Sequence, residues 1–351
     1  MNEQAVVIAS FGTSVPEAQV SITLVEEALA TVAKDWTCVR AFTSPTIRRI
    51  LRERGEDIPS LTEALERLLA DGIRRVIVQP THLLYGYEYD KLKAEAEIFG
   101  GRFESVTVGR PLLSDNSDIQ RFALHLSQDY PAEAGAVTVF VGHGTEHFAN
   151  AAYPALQTAL GLLGRKDIYV STVEGWPGLE DVLRQLEPVG PQRVALLPLM
   201  LVAGDHAKND MAGDWKSRME EAGHTVTCTF IGLGQLDWVQ EMYGWQYFYN
   251  FAEKFLLHAD NIFGAGYPDC DLAVWTPDAP KMEGESKGGD LPSWHTTFVE
   301  SLVCYTFCPG WRGKGDARSG AGTFPHDFGR DKRYIQPPSL VSRPAAAEST
   351  W

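Results

Sequence analysis

Two histidines and a glutamate follow three separate apolar runs in the second half of the chain. His143 and Glu174 come directly after runs rich in β-branched residues, and His206 comes shortly after a third. If these runs are parallel strands of one sheet, the three side chains meet at its carboxyl edge, where open α/β sheets carry their functional groups. Two imidazoles and one carboxylate suit a divalent ion such as Fe, Co, Ni or Zn. The sequence therefore predicts a metal site at His143, Glu174 and His206.

A competing hypothesis comes from the same segment, because His143, Glu146 and His147 have the His-x-x-Glu-His spacing of inverted zinc proteases. That motif needs both histidines on one face of a helix, with the glutamate as general base. Gly142 and Gly144 flank the first histidine, and each glycine costs about 1 kcal/mol inside a helix. The spacing is therefore better explained by a strand end followed by a turn.

A turn of small residues, Ser10, Phe11, Gly12 and Thr13, follows the first apolar run and leads into a helix. Backbone N–H groups at such a turn can hold an anion, so these residues are candidates for substrate binding. The turn has no Gly-Lys-Ser/Thr ending, and no Gly-x-Gly-x-x-Gly follows any predicted strand. The sequence therefore predicts no nucleotide cofactor.

His82, Tyr87 and Glu88 lie in an aromatic, apolar stretch after the third run of the first half. Such neighbours suit either a packed core or the wall of a pocket for a flat ligand, and both interpretations of His82 stay open. Phe11, Ser44 and Glu88 stand where the second half has His143, Glu174 and His206. The first half is therefore not expected to bind metal in the same way.

Short apolar runs alternate with longer amphipathic stretches, a pattern typical of a parallel sheet covered by helices. Strands are predicted at Ala5–Ser10, Thr37–Phe42, Arg75–Gln79, Glu104–Val108, Val137–Val141, Asp167–Val173, Arg193–Leu201 and Thr225–Ile231. Helices are predicted at Val15–Lys34, Thr46–Glu53, Ser60–Asp71, Tyr89–Phe99, Ala149–Leu163, Gly178–Leu186 and Ala207–Ala222. The fold class is α/β, with two Rossmann-like lobes that each contain a four-stranded parallel sheet.

The two halves resemble each other in sequence, which indicates an internal duplication. Val6–Thr13 matches Val139–Thr145, and Gly72–Pro80 matches Gly190–Pro198. We expect an N-terminal lobe over 1–130, a C-terminal lobe carrying the metal site over 131–258, and an irregular extension over 259–351. Beyond about Tyr243 only Gln246–His258 has helical spacing.

Composition narrows the classes of function. The chain has 351 residues, 44% of them hydrophobic, and a formal net charge of −15. This charge disfavours nucleic acid and anionic lipid as partners, and no apolar run approaches the ~20 residues of a membrane helix. Five widely spaced cysteines do not suggest a disulfide framework, and no signal peptide precedes the first strand. A cytoplasmic protein is expected, and a homo-oligomer stays open.

Four stretches of the sequence resemble the anaerobic sirohydrochlorin cobaltochelatases, members of the class II chelatases. They are Ser10–Thr13, Gly142–Gln157, Val173–Pro177 and Leu199–Met211. The resemblance covers about residues 1–243 and implies ATP-independent insertion of Co²⁺ into sirohydrochlorin, on the early-insertion route to cobalamin. It also implies that the two lobes hold the macrocycle in a cleft between them.

The resemblance assigns roles to the predicted site. It places the metal ligands at His143, Glu174 and His206 and the proton acceptor at His143. Glu174 would offset part of the metal charge and relay the proton outward. Sirohydrochlorin carries eight carboxylates, for which the turn at Ser10–Ser14 and the cations Arg48, Arg49 and Lys208 are candidate partners.

Two alternatives stay open at this point. The same ligands would accept Fe(II) or Ni(II), because imidazole and carboxylate do not separate these metals. A carrier of tetrapyrrole or metal, with no turnover, would use the same cleft.

Overall fold

Two parallel four-stranded sheets form the framework of the part of the chain that the computed structural model describes, residues 3–33, 36–204 and 209–247. The strands are β1 Gln4–Ser10, β2 Thr37–Phe42, β3 Arg75–Pro80, β4 Ser105–Val108, β5 Ala136–Gly142, β6 Ile168–Thr172, β7 Arg193–Pro198 and β8 Thr225–Cys228. The first sheet has the order β2-β1-β3-β4 and the second the order β6-β5-β7-β8. Both sheets have the same order, as the predicted duplication requires, and the α/β fold class is confirmed.

Nine helices connect and cover these strands within the described residues. They are α1 Pro16–Val32, α2 Pro45–Glu53, α3 Leu61–Ala70, α4 Tyr87–Glu97, α5 Asn116–Asp129, α6 Ala152–Leu162, α7 Leu179–Leu186, α8 Lys216–Glu221 and α9 over 237–247. A 3-10 turn, Phe148–Ala151, precedes α6, and a π-helical turn, Met211–Trp215, precedes α8. None of the helices in this part of the chain is long and apolar enough to cross a bilayer.

Local sequence explains where several helices begin. Ser60 and Glu63 form a capping box at the start of α3. The Asp115 carboxylate accepts hydrogen bonds from the first N–H groups of α5. Pro16 and Pro45 begin α1 and α2, where proline costs nothing because its missing N–H would have no helical partner.

The predicted element ends differ from the structure mainly after the strands of the second lobe. The prediction extended β7 to Leu201, but the strand ends at Pro198 and a loop follows. It extended β8 to Ile231, but the strand ends at Cys228. Leu199 and Leu201 pack against the core between the sheets, and Phe230 packs against the second lobe's own core. Hydrophobicity alone therefore reads these loops as strand.

An apolar core lies between the two sheets and belongs to both lobes. Val6 and Ile8 from β1 share it with Phe140 from β5 and Val170 from β6. Parallel sheets are buried on both faces, and the opposite face of each sheet packs against its own smaller core. The two lobes therefore share their largest apolar cluster.

Helix α9 returns from the second lobe to the first. Tyr243 is fully buried, and its hydroxyl donates to the Thr81 carbonyl at 2.7 Å. Gln246 donates to the Asp118 carboxylate in α5 at 2.8 Å, and burial raises the pKa of this carboxyl. The sequence predicted a helix at Gln246–His258, but α9 begins at 237. Residues 248–258 and the predicted extension over 259–351 lie outside the described part.

The Tyr243 hydroxyl gives a test of how α9 holds the lobes. Tyr243→Phe should lower the free energy of unfolding by about 1–2 kcal/mol, because the Thr81 carbonyl loses a buried hydrogen bond. Tyr87→Phe is the control, since this ring is 52% exposed, and it should change stability by less than about 0.5 kcal/mol. Equal urea midpoints for the two variants would contradict the anchoring role.

Candidate metal site

The ends of β5 and β6 bring His143 and Glu174 together. The strands pair in parallel up to Gly142 and Thr172, and backbone bonding continues beyond them. The Val173 N–H donates to the Gly142 carbonyl at 2.9 Å, and the Glu174 N–H donates to the His143 carbonyl at 2.8 Å. His143 and Glu174 are thus adjacent residues on neighbouring strand ends, as the sequence predicted.

Two glycines allow this close backbone approach. Gly144 has a φ of +81°, and a Cβ there would lie 2.4 Å from the Gly175 nitrogen. A Cβ at Gly175 would lie 2.3 Å from the Asn150 side-chain oxygen. Any larger residue at either position would push the two loops apart. The glycines beside the predicted ligands therefore set the spacing of the site.

The His143 ring is oriented by oxygen atoms on its Nδ1 side. Nδ1 lies 3.1 Å from the Gly144 carbonyl oxygen and 3.7 Å from Oε2 of Glu174. Both neighbours are acceptors, so they favour the tautomer that carries its proton on Nδ1. In that tautomer the Nε2 lone pair is the atom that can bind a metal or accept a proton. Both side chains are more than half exposed, so an ion can reach them.

His206 and Lys208 lie in 205–208, outside the described residues. The chain approaching them is described: β7 pairs with β5, and the Leu199 N–H donates to the Val141 carbonyl at 2.8 Å. Residues 199–204 thus leave the sheet on the other side of β5 from Glu174. Among residues 3–33, 36–204 and 209–247, no three His, Cys, Asp or Glu side chains gather closely enough to hold an ion.

Asn150 ties the loop of His143 to the loop of Glu174. Its side-chain oxygen accepts from the Thr145 N–H at 3.2 Å, and its Nδ2 donates to the Trp176 carbonyl at 2.6 Å. The Pro177 carbonyl in turn accepts the Thr172 N–H at 2.7 Å at the end of β6. The two loops are therefore held as one unit. No motif indicated this role for Asn150.

His147 links the two lobes and is not on a helix face with His143. Its Nδ1 accepts from the Ala149 N–H at 3.1 Å, so its proton is on Nε2, which lies 3.3 Å from the Asp90 carboxylate in α4. The Tyr87 ring packs edge-on against the imidazole, with centroids 4.9 Å apart. The inverted-protease hypothesis is wrong here, because one histidine ends a strand and the other bonds to the opposite lobe.

The turn after β1 is mostly engaged in holding the first lobe. The Ser10 hydroxyl is buried and accepts from the Thr81 hydroxyl at 2.8 Å. The Thr13 hydroxyl accepts from the Val15 N–H at 3.2 Å. Phe11 is 49% exposed, while Gly12, with a φ of +94°, packs against Phe42. Of the turn's side chains predicted to bind substrate, Phe11 is the one directed to solvent.

The segment after β3 carries the other residues of the first lobe that were predicted to bind substrate, His82, Tyr87 and Glu88. Both ring nitrogens of His82 are buried and have no hydrogen-bond partner within the described residues. Burial lowers the pKa of His82 to about 4, and the nearby Glu88 partly opposes that shift, so the ring is neutral at physiological pH. Glu88 pairs with Lys91 at 2.6 Å, and the Tyr87 ring is exposed.

The loops of the two lobes meet at the carboxyl ends of the sheets. A Cβ at Gly204 would lie 3.8 Å from the Thr13 hydroxyl, and His147 reaches Asp90 across the same junction. Exposed aromatic side chains lie on the segments that follow β1, β3, β5 and β6: Phe11, Tyr87, Phe148 and Trp176. The sequence predictions missed Phe148 and Trp176. The sequence did hold a signal for Trp176, because this large aromatic residue follows Gly175 in a turn at the end of a strand.

Comparisons with known proteins show the family to which the chain is similar. The family model described as cobalt chelatase (CbiK) matches residues 4–246. Sirohydrochlorin cobaltochelatase of Salmonella typhimurium (strain LT2) is 38% identical over 248 residues, which cover 69% of this chain and 94% of that protein. Sirohydrochlorin cobaltochelatase CbiKC of Nitratidesulfovibrio vulgaris (strain Hildenborough) is 33% identical over 233 residues, covering 64% and 82%.

A solved structure has a similar fold. SirB from Bacillus subtilis with Fe³⁺ superposes with a TM-score of 0.55 at 17% identity, over 72% of this chain and 97% of that one. At this identity the likeness concerns the fold alone, and it matches the two-lobed architecture described above. With the family model spanning both lobes and both sets of strand-end loops, the chain belongs to the cobalt chelatase (CbiK) family.

Proposed function

We propose that the protein inserts Co(II) into sirohydrochlorin without ATP, releasing two protons for each ion inserted. The adjacency of His143 and Glu174 on neighbouring strand ends carries this proposal. Membership of the cobalt chelatase family supports it, and two relatives are named sirohydrochlorin cobaltochelatases. A place in cobalamin biosynthesis follows from that reaction.

The ion is captured first, in our proposal, by His143, Glu174 and His206. Two imidazoles and one carboxylate leave coordination positions open, which incoming pyrrole nitrogens can occupy. The negative charge of Glu174 offsets part of the divalent charge. Because the side chains of His143 and Glu174 are more than half exposed, an ion can reach both from solvent.

The macrocycle then lies between the lobes against aromatic side chains. Phe11 and Tyr87 from the first lobe and Trp176 from the second expose apolar surface suited to a flat ring. The Asp90–His147 contact joins the lobes beside this surface. We propose that this contact helps to hold the ring over the metal ligands.

Two pyrrole N–H bonds must break as the four ring nitrogens bind Co(II), so two protons leave the ring. His143 is the proposed acceptor, because the oxygens near Nδ1 favour a lone pair on Nε2. Glu174, 64% exposed, can pass each proton to water. The cation and the protons thus move in opposite directions through the same pair of residues, and charge balances at each turnover.

Anaerobic incubation of the protein with sirohydrochlorin and Co(II), followed by the absorption spectrum of the macrocycle, tests the proposal. We expect many turnovers per protein molecule. Faster turnover with Fe(II) or Ni(II) at equal free concentration would reassign the metal. A single stoichiometric spectral change with no turnover would indicate a carrier and overturn the enzymatic proposal.

A matched pair of variants tests the proposed role of Glu174. Glu174→Gln should lower the metallation rate about 10–100-fold, the range for loss of a group that supports a metal site. Glu146→Gln removes a neighbouring exposed carboxylate and should change the rate less than about 3-fold. Similar losses in both variants would indicate a general charge effect and count against a specific role for Glu174.

Two histidine variants separate proton transfer from metal capture. His143→Ala should lower the rate about 10²–10⁴-fold, the typical contribution of a general base, while sirohydrochlorin still binds. His206→Ala should recover part of its rate when Co(II) is raised well above the wild-type requirement. Excess Co(II) should do little for His143→Ala, because a metal ion cannot replace a proton acceptor. Full rescue of His143→Ala by excess Co(II) would show that His143 acts only as a metal ligand and is not the proton acceptor.

A further inference from the structure

The proposed substrate sets an electrostatic problem for this chain. Sirohydrochlorin carries eight carboxylates, and the protein has a formal net charge of −15. Like charges repel, so binding needs cations placed beside the junction of the lobes. The sequence offered Arg48, Arg49 and Lys208 as candidates, and Lys208 lies outside the described residues. The inference below rests on the proposed function.

Four arginines lie in residues 43–59, an excursion of the chain that follows β2. At its start the Thr43 N–H donates to the Ser10 carbonyl, and at its end the Pro59 carbonyl accepts from the N–H of Phe42, the last residue of β2. Helix α2 forms most of it. The arginines are Arg48, Arg49, Arg52 and Arg54.

The excursion packs against both lobes. Leu51 on α2 is fully buried in a small apolar cluster with Phe42 and Ile22 of the first lobe. Leu201 and Val202 of the second lobe pack against the same cluster. These two residues belong to the segment that leads to His206. The excursion therefore lies at the junction of the lobes.

Three of the four arginines are neutralised by carboxylates of the first lobe. Arg48 pairs with Glu63, and its Nε donates to the Ile58 carbonyl at 3.0 Å. Arg49 pairs with Glu53 at 2.8 Å, and Arg52 pairs with Asp57 at 3.1 Å. The two arginines offered by the sequence therefore already have carboxylate partners.

Arg54 differs from the other three. No carboxylate among residues 3–33, 36–204 and 209–247 lies within ion-pair distance of it. One guanidinium nitrogen, Nη1, donates to the Ser14 carbonyl in the turn after β1. The residue is exposed. That contact holds the guanidinium beside the turn, while Nε and Nη2 have no protein partner in the described part of the chain.

The remaining unpaired cations lie at the other end of the sheets. Within the described residues, Arg75 and Lys166 also have no carboxylate partner. Arg75 begins β3, and Lys166 precedes β6, so both lie at the amino ends of the strands. Arg54 is therefore the only cation in the described structure that is both unpaired and beside the carboxyl-end loops.

We propose that Arg54 binds a peripheral carboxylate of sirohydrochlorin. A guanidinium offers parallel N–H donors that match the two oxygens of a carboxylate. The contact to the Ser14 carbonyl orients the group before substrate arrives, which reduces the side-chain entropy lost on binding. Arg54 thereby fixes one edge of the macrocycle on the first lobe, opposite His143 and Glu174.

The test compares Arg54→Gln with Arg75→Gln, which makes the same charge change at the opposite end of the sheet. Sirohydrochlorin binding is titrated anaerobically without metal, and KM and kcat are then measured with Co(II). Arg54→Gln should weaken binding roughly 10–100-fold, as expected for a lost charged hydrogen bond, and the effect should fall on KM more than on kcat. Arg75→Gln should stay within about 2-fold of wild type.

Two further comparisons complete the test. Arg54→Lys keeps the charge, so it should bind more tightly than Arg54→Gln, and rising salt should narrow the gap between Arg54→Gln and wild type. Equal binding by Arg54→Gln and Arg75→Gln would overturn the inference, as would a lysine variant no better than the glutamine variant. A wild-type protein that metallates no sirohydrochlorin would instead refute the proposed function.

Discussion

The apolar core shared by the two sheets determines where the site residues can lie. Side chains from β1 and β5 pack into one cluster with α9, so neither lobe can shift without exposing apolar surface to water. Burying such surface stabilises the folded state by roughly 25 cal/mol per Å². This packing joins the lobes, so the loops at the carboxyl ends of both sheets meet. The short contacts at their junction, including Asp90 with His147, depend on it.

The two lobes share a topology but differ in chemistry. His143 ends β5, while Phe11 follows the equivalent strand of the first lobe as an exposed aromatic ring. Ser44, at the position corresponding to Glu174, is buried and caps α2. The two frameworks are thus similar, but the second places His143 and Glu174 at neighbouring strand ends, where the first has Phe11 and Ser44.

The sequence predicted the parallel sheets and the adjacency of His143 and Glu174, because both follow from local patterns. Alternating apolar runs indicate strands, and the rule for carboxyl ends of parallel strands indicates which loops meet. Contacts between distant segments have no such local signal. The bond from Tyr243 to Thr81 joins residues far apart in the chain, and the same is true of His147 with Asp90. Arg54 could be distinguished from its neighbours only after their ion pairs were known.

The central claim is that His143 and Glu174 form a metal site together with His206. Locating bound Co(II) in crystals of the protein tests this claim most directly. Crystals soaked anaerobically in Co(II), with anomalous diffraction recorded at the cobalt edge, would locate the ion. We predict one cobalt about 2.0–2.2 Å from a ring nitrogen of His143 and from a carboxylate oxygen of Glu174, the usual range for such ligands, with His206 completing the set. Cobalt bound elsewhere, with neither His143 nor Glu174 among its ligands, would contradict the account.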